Sequence, residues 1–467
     1  MSTAAALYLR DALLQTLGIT AASFVLAVLA GFPLGILVAR EDALGRAARV
    51  CVAVVRAIPE LVLAIVAVVA IGLGPIAGIA ALGIHYTAVL AKLTAELLHA
   101  VRREPALALR AVGATPTASF LVALLPAAWP GIVGFGAYAL ESVARAAVIV
   151  GVVGAGGLGA VLIQALNLGD YRTFGLALIV LVVLVVGIDL FSDRLRRRPS
   201  PQLVGATFLA LVVTGILAFA TTDDPPWTHV RDIGPHLVRF IAGSLPLDLT
   251  PRVLREAFAG VLVSLGVALA GTVIGALIAV PFALAVASPL TRGWMRGTGW
   301  RPWSLLPEVP SRLLLATARA MPPIAIGLIG LSVVGLGPPA GIFALALHTA
   351  GVLGKLLGES LELARTGPAT ALVAGGASGS AAVAVALVPG ALPAMATHVL
   401  YRFEWNVRAS TVLGLIGAGG LGQAIFNAQQ LLFYRQLATY AVCAVLLVLA
   451  VDTVATGARK RLRFSRI

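Results

Sequence analysis

The chain has 467 residues, of which 60% are hydrophobic and only 12% charged, and its mean hydropathy is +1.00. A soluble domain carries about 25% charged residues and could not hide this much apolar surface, so the composition excludes a soluble globular protein and leaves a polytopic membrane protein. The net charge of +14 resides in arginines grouped in short loops beside apolar runs, a positive-inside pattern and not a nucleic-acid surface.

Only Arg10 precedes the first long apolar run, at about 13–38. That run exceeds the roughly 7–15 residues of a signal-peptide core, so it predicts a retained span. In chain order the pattern predicts spans near 14–39, 52–73, 76–99, 120–152 and 174–191, the fourth open to a break at Pro126 and Pro130. Arg194, Arg196, Arg197 and Arg198 follow. An additional span at 202–220 leads to a polar stretch, 221–256, with acids and bases nearly balanced. Five more spans are expected near 259–287, 313–336, 339–362, 380–415 and 437–456, closed by Arg459, Lys460, Arg461 and Arg463. Cys51 and Cys443 lie in or beside apolar runs and give no disulfide framework.

The two groups of five are copies. Tyr138-Ala-Leu-Glu-Ser-Val-Ala-Arg-Ala-Ala-Val-Ile-Val-Gly-Val-Val-Gly-Ala-Gly-Gly-Leu-Gly159 returns 263 residues later as Tyr401-Arg-Phe-Glu-Trp-Asn-Val-Arg-Ala-Ser-Thr-Val-Leu-Gly-Leu-Ile-Gly-Ala-Gly-Gly-Leu-Gly422, with 11 of 22 positions identical. The offset of 263 holds without a gap from Arg56/Arg319 to Asp189/Asp452. Upstream it falls to 248, as in Thr16…Pro33 against Ser264…Pro281, which places some 15 extra residues in the loop at about 288–312. Five spans per copy would invert the second. The extra span at 202–220 makes six crossings between equivalent points, so the copies run parallel. The basic loops at 40–50, 102–110, 194–198 and 292–312 and the C-terminal tail then share one side, opposite 221–256. The expectation is an all-α polytopic membrane protein of about 11 spans, N-terminus outside and C-terminus inside. Its repeats are 1–198 and 259–467, joined by a linker span and an extracytoplasmic segment at 199–258.

Four constellations carry chemistry. The first lies between the third and fourth spans of each copy. Pro105, Arg110, Gly113 and Pro126 are matched by Pro368, Val373, Gly376 and Pro389, with the glycine 13 residues ahead of the last proline. A proline that starts a helix and a glycine that ends it predict a short helix lying outside the membrane before the chain returns. Two parallel copies would present two similar loops to a two-fold partner. The second constellation is the pair of i,i+4 charges, Glu141–Arg145 and Glu404–Arg408, each on one helix face in an apolar span. The spacing allows a structural ion pair and equally an arginine that offers positive charge to an anion in transit. The third is His85 and Lys92, repeated as His348 and Lys355, seven residues apart and so on one helical face. They are candidates for the same pathway, although lysines can snorkel to the surface and histidines can bond a neighbouring backbone. The fourth is Gly154-Ala-Gly-Gly-Leu-Gly159 and its copy at 417–422. No strand precedes it and no Gly-Lys-Ser/Thr follows, so it predicts close helix packing or a helix break, not a nucleotide loop. No His/Cys/Asp cluster has metal-ligand spacing.

The Gly113…Pro126 and Gly376…Pro389 spacing resembles the coupling loop of binding-protein-dependent ABC importers. The residues at 401–414, with Leu347-His-Thr-Ala-Gly-Val-Leu-Gly-Lys355, resemble the permease of the phosphonate-type subfamily; the resemblance covers both halves, the second, from about 200 onward, most closely. The first half keeps Glu141, Arg145 and the glycines but has Ser-Val-Ala where the second has Trp-Asn-Val. Leu107 and Thr370 stand where the family's coupling loop is acidic, and Val373 replaces Arg110; these departures bear on equal docking of the two loops, not on docking itself. The resemblance implies two type I permease subunits fused in one chain in a bacterial inner membrane, carrying phosphonate, phosphite or phosphate inward. It implies a soluble binding protein outside and two ABC ATPase subunits inside, which hold the ATP and Mg, with no cofactor in this chain. No ATP-binding motif, nucleophile–base set or metal set is present, so the chain is read as a transporter and not an enzyme. The rival class is an ion-coupled secondary transporter with parallel repeats, for which the intramembrane carboxylates are few: Glu96, Glu141, Asp189, Glu359, Glu404 and Asp452.

Overall fold

The computed structural model describes residues 3–220, 233–287, 308–364 and 366–464. The insertion expected at about 288–312 therefore lies mostly outside the described residues, as do the start of the 221–256 stretch and Arg365. Every described element is helical. The chain forms two compact units, Met1–Pro246 and Leu247–Ile467.

In the first unit α1 (Thr3–Val38) packs along α4 (Pro75–Ala100) and α10 (Pro201–Ala220). Gly31 and Gly35 of α1 allow the approach: a Cβ on Gly35 would lie 2.6 Å from Thr94 Cβ and 2.9 Å from the Ala91 carbonyl. α2 (Ala43–Ala57) and α3 (Glu60–Ile71) lead into α4, and α5 (Glu104–Ala111) and α6 (Pro116–Ser119) lead out of it. α7 (Leu125–Val150), α8 (Gly157–Asn167), α9 (Tyr171–Arg197) and α10 follow, and α11 (Ile233–Ser244) packs on α3. The second unit repeats the plan with α12 (Pro251–Val286), α13 (Glu308–Ala320), α14 (Pro323–Val334), α15 (Pro338–Glu362), α16 (Gly367–Ala374), α17 (Gly379–Ala382), α18 (Val388–Leu413), α19 (Gly420–Gln430) and α20 (Tyr434–Phe464). α12 packs along α15, and α18 packs on both.

Among the described residues nine helices are long and apolar enough to cross a membrane, and the count is eleven if each of two bent pairs is one span. The spans expected near 52–73 and 313–336 are these bent pairs: α2 and α3 meet at 88° and α13 and α14 at 96°, a feature the apolar runs did not show. The cause is local: Pro59 and Pro322 lack an N–H and disfavour helical ψ in the residue before, and at the first bend Ile58 adopts ψ 120°. The fourth span, by contrast, is not broken at Pro126 or Pro130, and the chain runs through 116–155 as one candidate span. A π-turn at Phe120–Leu124, in which Leu125 N–H bonds to Phe120 O, widens the helix just before Pro126. Val383–Leu387 does the same before Pro389. A widened turn removes the clash between a proline ring and the carbonyl one turn earlier.

Asp42, in the loop between α1 and α2, caps α2 by accepting from Gly45 N–H at 2.8 Å. That bond holds its carboxyl below the usual carboxylate range.

Candidate functional site

The duplicated glycine motif is a helix break. In the first repeat Gly154, Gly156 and Gly157 have φ of +123°, +89° and +73°; in the second Gly417, Gly419 and Gly420 have +87°, +80° and +77°. These are left-handed conformations that a side chain would strain. The reversal lays α8 back against the end of α7, and α19 against the end of α18. Contact is closest at the last glycine: a Cβ on Gly159 would lie 2.0 Å from Val148 O, and one on Gly422 would lie 1.8 Å from Thr411 O. The opening N–H groups of the returning helices are taken by the chain's own side chains. Gly157 N–H donates to Gln15 Oε1 at 2.7 Å, Leu158 N–H to Thr16 Oγ1 at 2.8 Å and Leu421 N–H to Ser264 Oγ at 3.0 Å. Donors so engaged do not cradle a phosphate. Ser264 is 1% exposed. Ser264→Ala, which leaves a buried N–H without an acceptor, is expected to cost about 1–3 kcal/mol, read as a lowered melting temperature of the purified protein.

The loops between the third and fourth spans hold the two short helices. Pro105 lies in the first turn of α5 and Pro368 in that of α16. Each ends at a left-handed glycine, Gly113 at φ +95° and Gly376 at φ +89°, with Ala114 N–H on Leu109 O at 3.0 Å and Ala377 N–H on Leu372 O at 2.9 Å. Their outer faces are exposed: Leu107, Arg110 and Val112 on the first, Leu372 and Val373 on the second. Pro126 and Pro389 start α7 and α18 behind the π-turns.

The charges of α7 and α18 are joined to the last helix of their own repeat. Glu141 Oε1 forms an ion pair with Arg196 Nη2 at 2.8 Å, and its i,i+4 neighbour Arg145 lies at 3.9 Å. Arg145 reaches Asp189 at 3.5 Å. In the second repeat Glu404 is bonded to Arg459, and Arg408 reaches Asp452 at 3.9 Å. Arg459 also donates to Thr456 Oγ1 at 2.8 Å and lies over the Tyr401 ring, 4.1 Å from its centroid. Arg196 and Arg459 are equivalent at the 263 offset, as are Asp189 and Asp452, so the crossed arrangement is itself duplicated. The i,i+4 pair allowed by the spacing is present in the first repeat at 3.9 Å, and in both repeats the acid on the middle helix has its shorter contact with an arginine on the last helix.

Lys92 and Lys355 form exposed i,i+4 pairs with Glu96 at 3.5 Å and Glu359 at 3.7 Å. His348 is buried, with Nδ1 3.1 Å from Met321 O at the α13–α14 bend, and His85 packs edge-on to Tyr86. One cluster escaped the sequence reading. Asn406 Nδ2 is 2.8 Å from Thr272 Oγ1 and 3.0 Å from Thr349 Oγ1, and Arg402 Nε donates to Thr349 Oγ1 at 3.3 Å. The Arg402 guanidinium lies over Trp405, 3.8 Å from the ring centroid, and Trp405 stacks on His348 with centroids 5.2 Å apart. Among the described residues no group of acids, histidines and cysteines could hold a metal ion.

A duplicated set of membrane-crossing helices, each copy with a short exposed helix between its third and fourth spans, defines a polytopic membrane transport component. The chain belongs to the family of binding-protein-dependent transport system inner membrane components, whose model matches it twice, over residues 31–201 and 307–465. It is 28% identical over 463 residues, 96% of this chain and 84% of the other, to the phosphate-import permease protein PhnE of Mycolicibacterium smegmatis. It is 34% identical over 195 residues, 42% of this chain and 68% of the other, to the phosphite transport system permease protein PtxC of Stutzerimonas stutzeri. Among solved structures, an inward-facing form of the MetNI methionine ABC transporter aligns at 27% identity and a TM-score of 0.40, over 43% of this chain and all of that one.

Proposed function

We propose that this chain is the complete membrane pathway of an ABC importer that carries a phosphorus oxyanion inward: phosphate, phosphite or phosphonate. The observation that carries the substrate class is the similarity over 96% of the chain to a permease named for phosphate import, with a phosphite permease among the other relatives. The domain plan is two permease repeats, 1–198 and 259–467, in parallel orientation around the linker 199–258. The N-terminus is outside and the C-terminus inside a bacterial inner membrane, as the arginine-rich loops favour. Two ABC ATPase subunits that hold ATP and Mg dock on α5 and α16, through Pro105, Arg110 and Gly113 and through Pro368 and Gly376, with Pro126 and Pro389 anchoring the return helices. A soluble binding protein delivers substrate to the opposite face. Nucleotide-driven closure of the ATPases moves the two short helices, and the repeats alternate access to the path.

Glu141, Arg145, Glu404, Arg408, His85, His348, Lys92 and Lys355 are candidates for the path. An arginine partly neutralised by a carboxylate suits a conduit, since tight pairing to phosphate would stall release. Arg408, whose carboxylate contact is the longer of the two, should matter more than Arg145. Arg408→Gln is expected to lower uptake about tenfold and Arg145→Gln about threefold in a radiolabelled-phosphate assay. Equal losses would show the two repeats to be functionally equivalent.

The function itself is tested by co-purification with an ATPase subunit and by binding-protein-dependent ATP hydrolysis with phosphate, phosphite and methylphosphonate. A complex that retains no ATPase, or that responds to none of the three, contradicts it.

A further inference from the structure

Polar side chains buried in apolar helix bundles are costly and gather where they satisfy one another or meet a ligand. In the second repeat such a group converges from three helices: Thr272 on α12, His348 and Thr349 on α15, and Arg402, Trp405 and Asn406 on α18. Asn406 and Thr349 are fully buried and Arg402 is 8% exposed. The first repeat provides its own comparison. At the equivalent positions it has Phe24 for Thr272, Tyr86 for Thr349, Ala139 for Arg402, Ser142 for Trp405 and Val143 for Asn406. There Ala139 and Val143 are fully buried, and Phe24 and Tyr86 join the same apolar core. At Phe24, Ala139 and Val143 the shared plan of helices therefore closes with apolar residues, and packing alone does not require the Thr272 hydroxyl, a guanidinium or an amide there.

We infer that this cluster is an oxyanion-recognition site for the tetrahedral phosphorus group of the substrate, carried by the second repeat alone and centred on Arg402. The inference rests on the importer reading above and deepens it. A guanidinium presents five donors in a planar fork matched to two oxygens of a phosphoryl group. The guanidinium carbon lies over Trp405, 3.8 Å from the ring centroid, a cation–π contact that restrains the side chain. Asn406 bonds to both Thr349 and Thr272, with the Thr272 hydroxyl donating to Ala268 O, and the Asn406 amide and Thr349 hydroxyl can exchange their mutual bonds for bonds to an anion at small net cost. Exchange of this kind favours a site that binds weakly and releases, as a conduit needs. His348, stacked on Trp405 and bonded near the α13–α14 bend at Pro322, ties the cluster to the broken span.

The test uses the permease–ATPase complex in lipid nanodiscs without the binding protein, titrated with phosphate, phosphite or methylphosphonate while tryptophan emission is followed. A saturable change is expected that disappears in Trp405→Phe. In Arg402→Gln it should need at least about tenfold more anion, the equivalent of one lost charge-assisted hydrogen bond, with Arg402→Lys in between because it keeps charge without the fork. Uptake by the full transporter should fall in parallel, and Asn406→Val, which installs the first repeat's residue, should lower it several-fold. An unaltered titration in both Arg402→Gln and Asn406→Val overturns the inference, including when uptake falls, since that pattern marks a purely structural role. If the unaltered transporter moves none of the three anions, the importer reading fails and the site falls with it; uptake that persists in the variants removes the site alone.

Discussion

Gly422→Ala is expected to abolish recovery of folded protein, and Gly159→Ala to come close to doing so. The added methyl would sit 1.8 Å from Thr411 O in the second repeat and 2.0 Å from Val148 O in the first. Both obstacles are backbone atoms of the preceding helix, so no rotamer change relieves the clash. Either the returning helix moves away or the helix before it unwinds. Overpacking ordinarily costs about 1–3 kcal/mol where side chains can adjust; a main-chain collision at this range belongs with the exceptional cases of about 4 kcal/mol or more. Gly266→Ala is the control, because a Cβ there meets nothing within 4 Å. The measurement is the fraction of detergent-extracted protein that elutes as a monodisperse species, and its melting temperature. Near-normal recovery of Gly422→Ala would show that the reversal at 417–422 is not as tight as described.

Loss of Arg459 is the second large effect. The Glu404 and Arg459 side chains are 8% and 12% exposed, so Arg459→Met leaves a buried carboxylate without its main partner. Breaking a buried pair from one side costs about 3–5 kcal/mol, whereas replacing both members by apolar groups of similar size is often close to neutral. Glu404→Leu/Arg459→Met should therefore recover most of the stability lost by the single change, less what the Tyr401 and Thr456 contacts of Arg459 contribute. In the first repeat Arg196 is 35% exposed, and Arg196→Met should cost distinctly less. Thermal unfolding of the three variants decides the matter. A double variant no more stable than Arg459→Met would place the cost in lost packing and not in the uncompensated charge.

What the sequence made legible was local. Span positions follow from the length of apolar runs. The short helices α5 and α16 follow from Pro105 and Gly113, Pro368 and Gly376, because a helix start and a helix stop are each set by one residue's backbone freedom. The bends at Pro59 and Pro322 had the same kind of signal, but a proline in an apolar run of span length is compatible with a straight crossing, and only the extended residue before it decides. What stayed hidden was lateral. Glu404 and Arg459 lie 55 residues apart, and the spacing of Glu404 and Arg408 offered a nearer partner. A trace existed, since Asp189/Asp452 and Arg196/Arg459 recur at the same offset, and two charges kept in both copies of an apolar repeat point to a common partner. Thr272, Thr349 and Asn406 gave no such trace. Each is a single uncharged polar residue on a different helix, without a counterpart in the first repeat, and only packing brings them together.

The central claim, that this one chain supplies the whole membrane path of an ATP-driven importer, is tested most directly in proteoliposomes holding the purified permease–ATPase complex, with binding protein and labelled phosphate, phosphite or methylphosphonate added outside. The account predicts accumulation that requires ATP inside the vesicle and the binding protein outside, with no further membrane protein present. Accumulation that persists without ATP and collapses with an ion gradient, or none for any of the three anions, would contradict it.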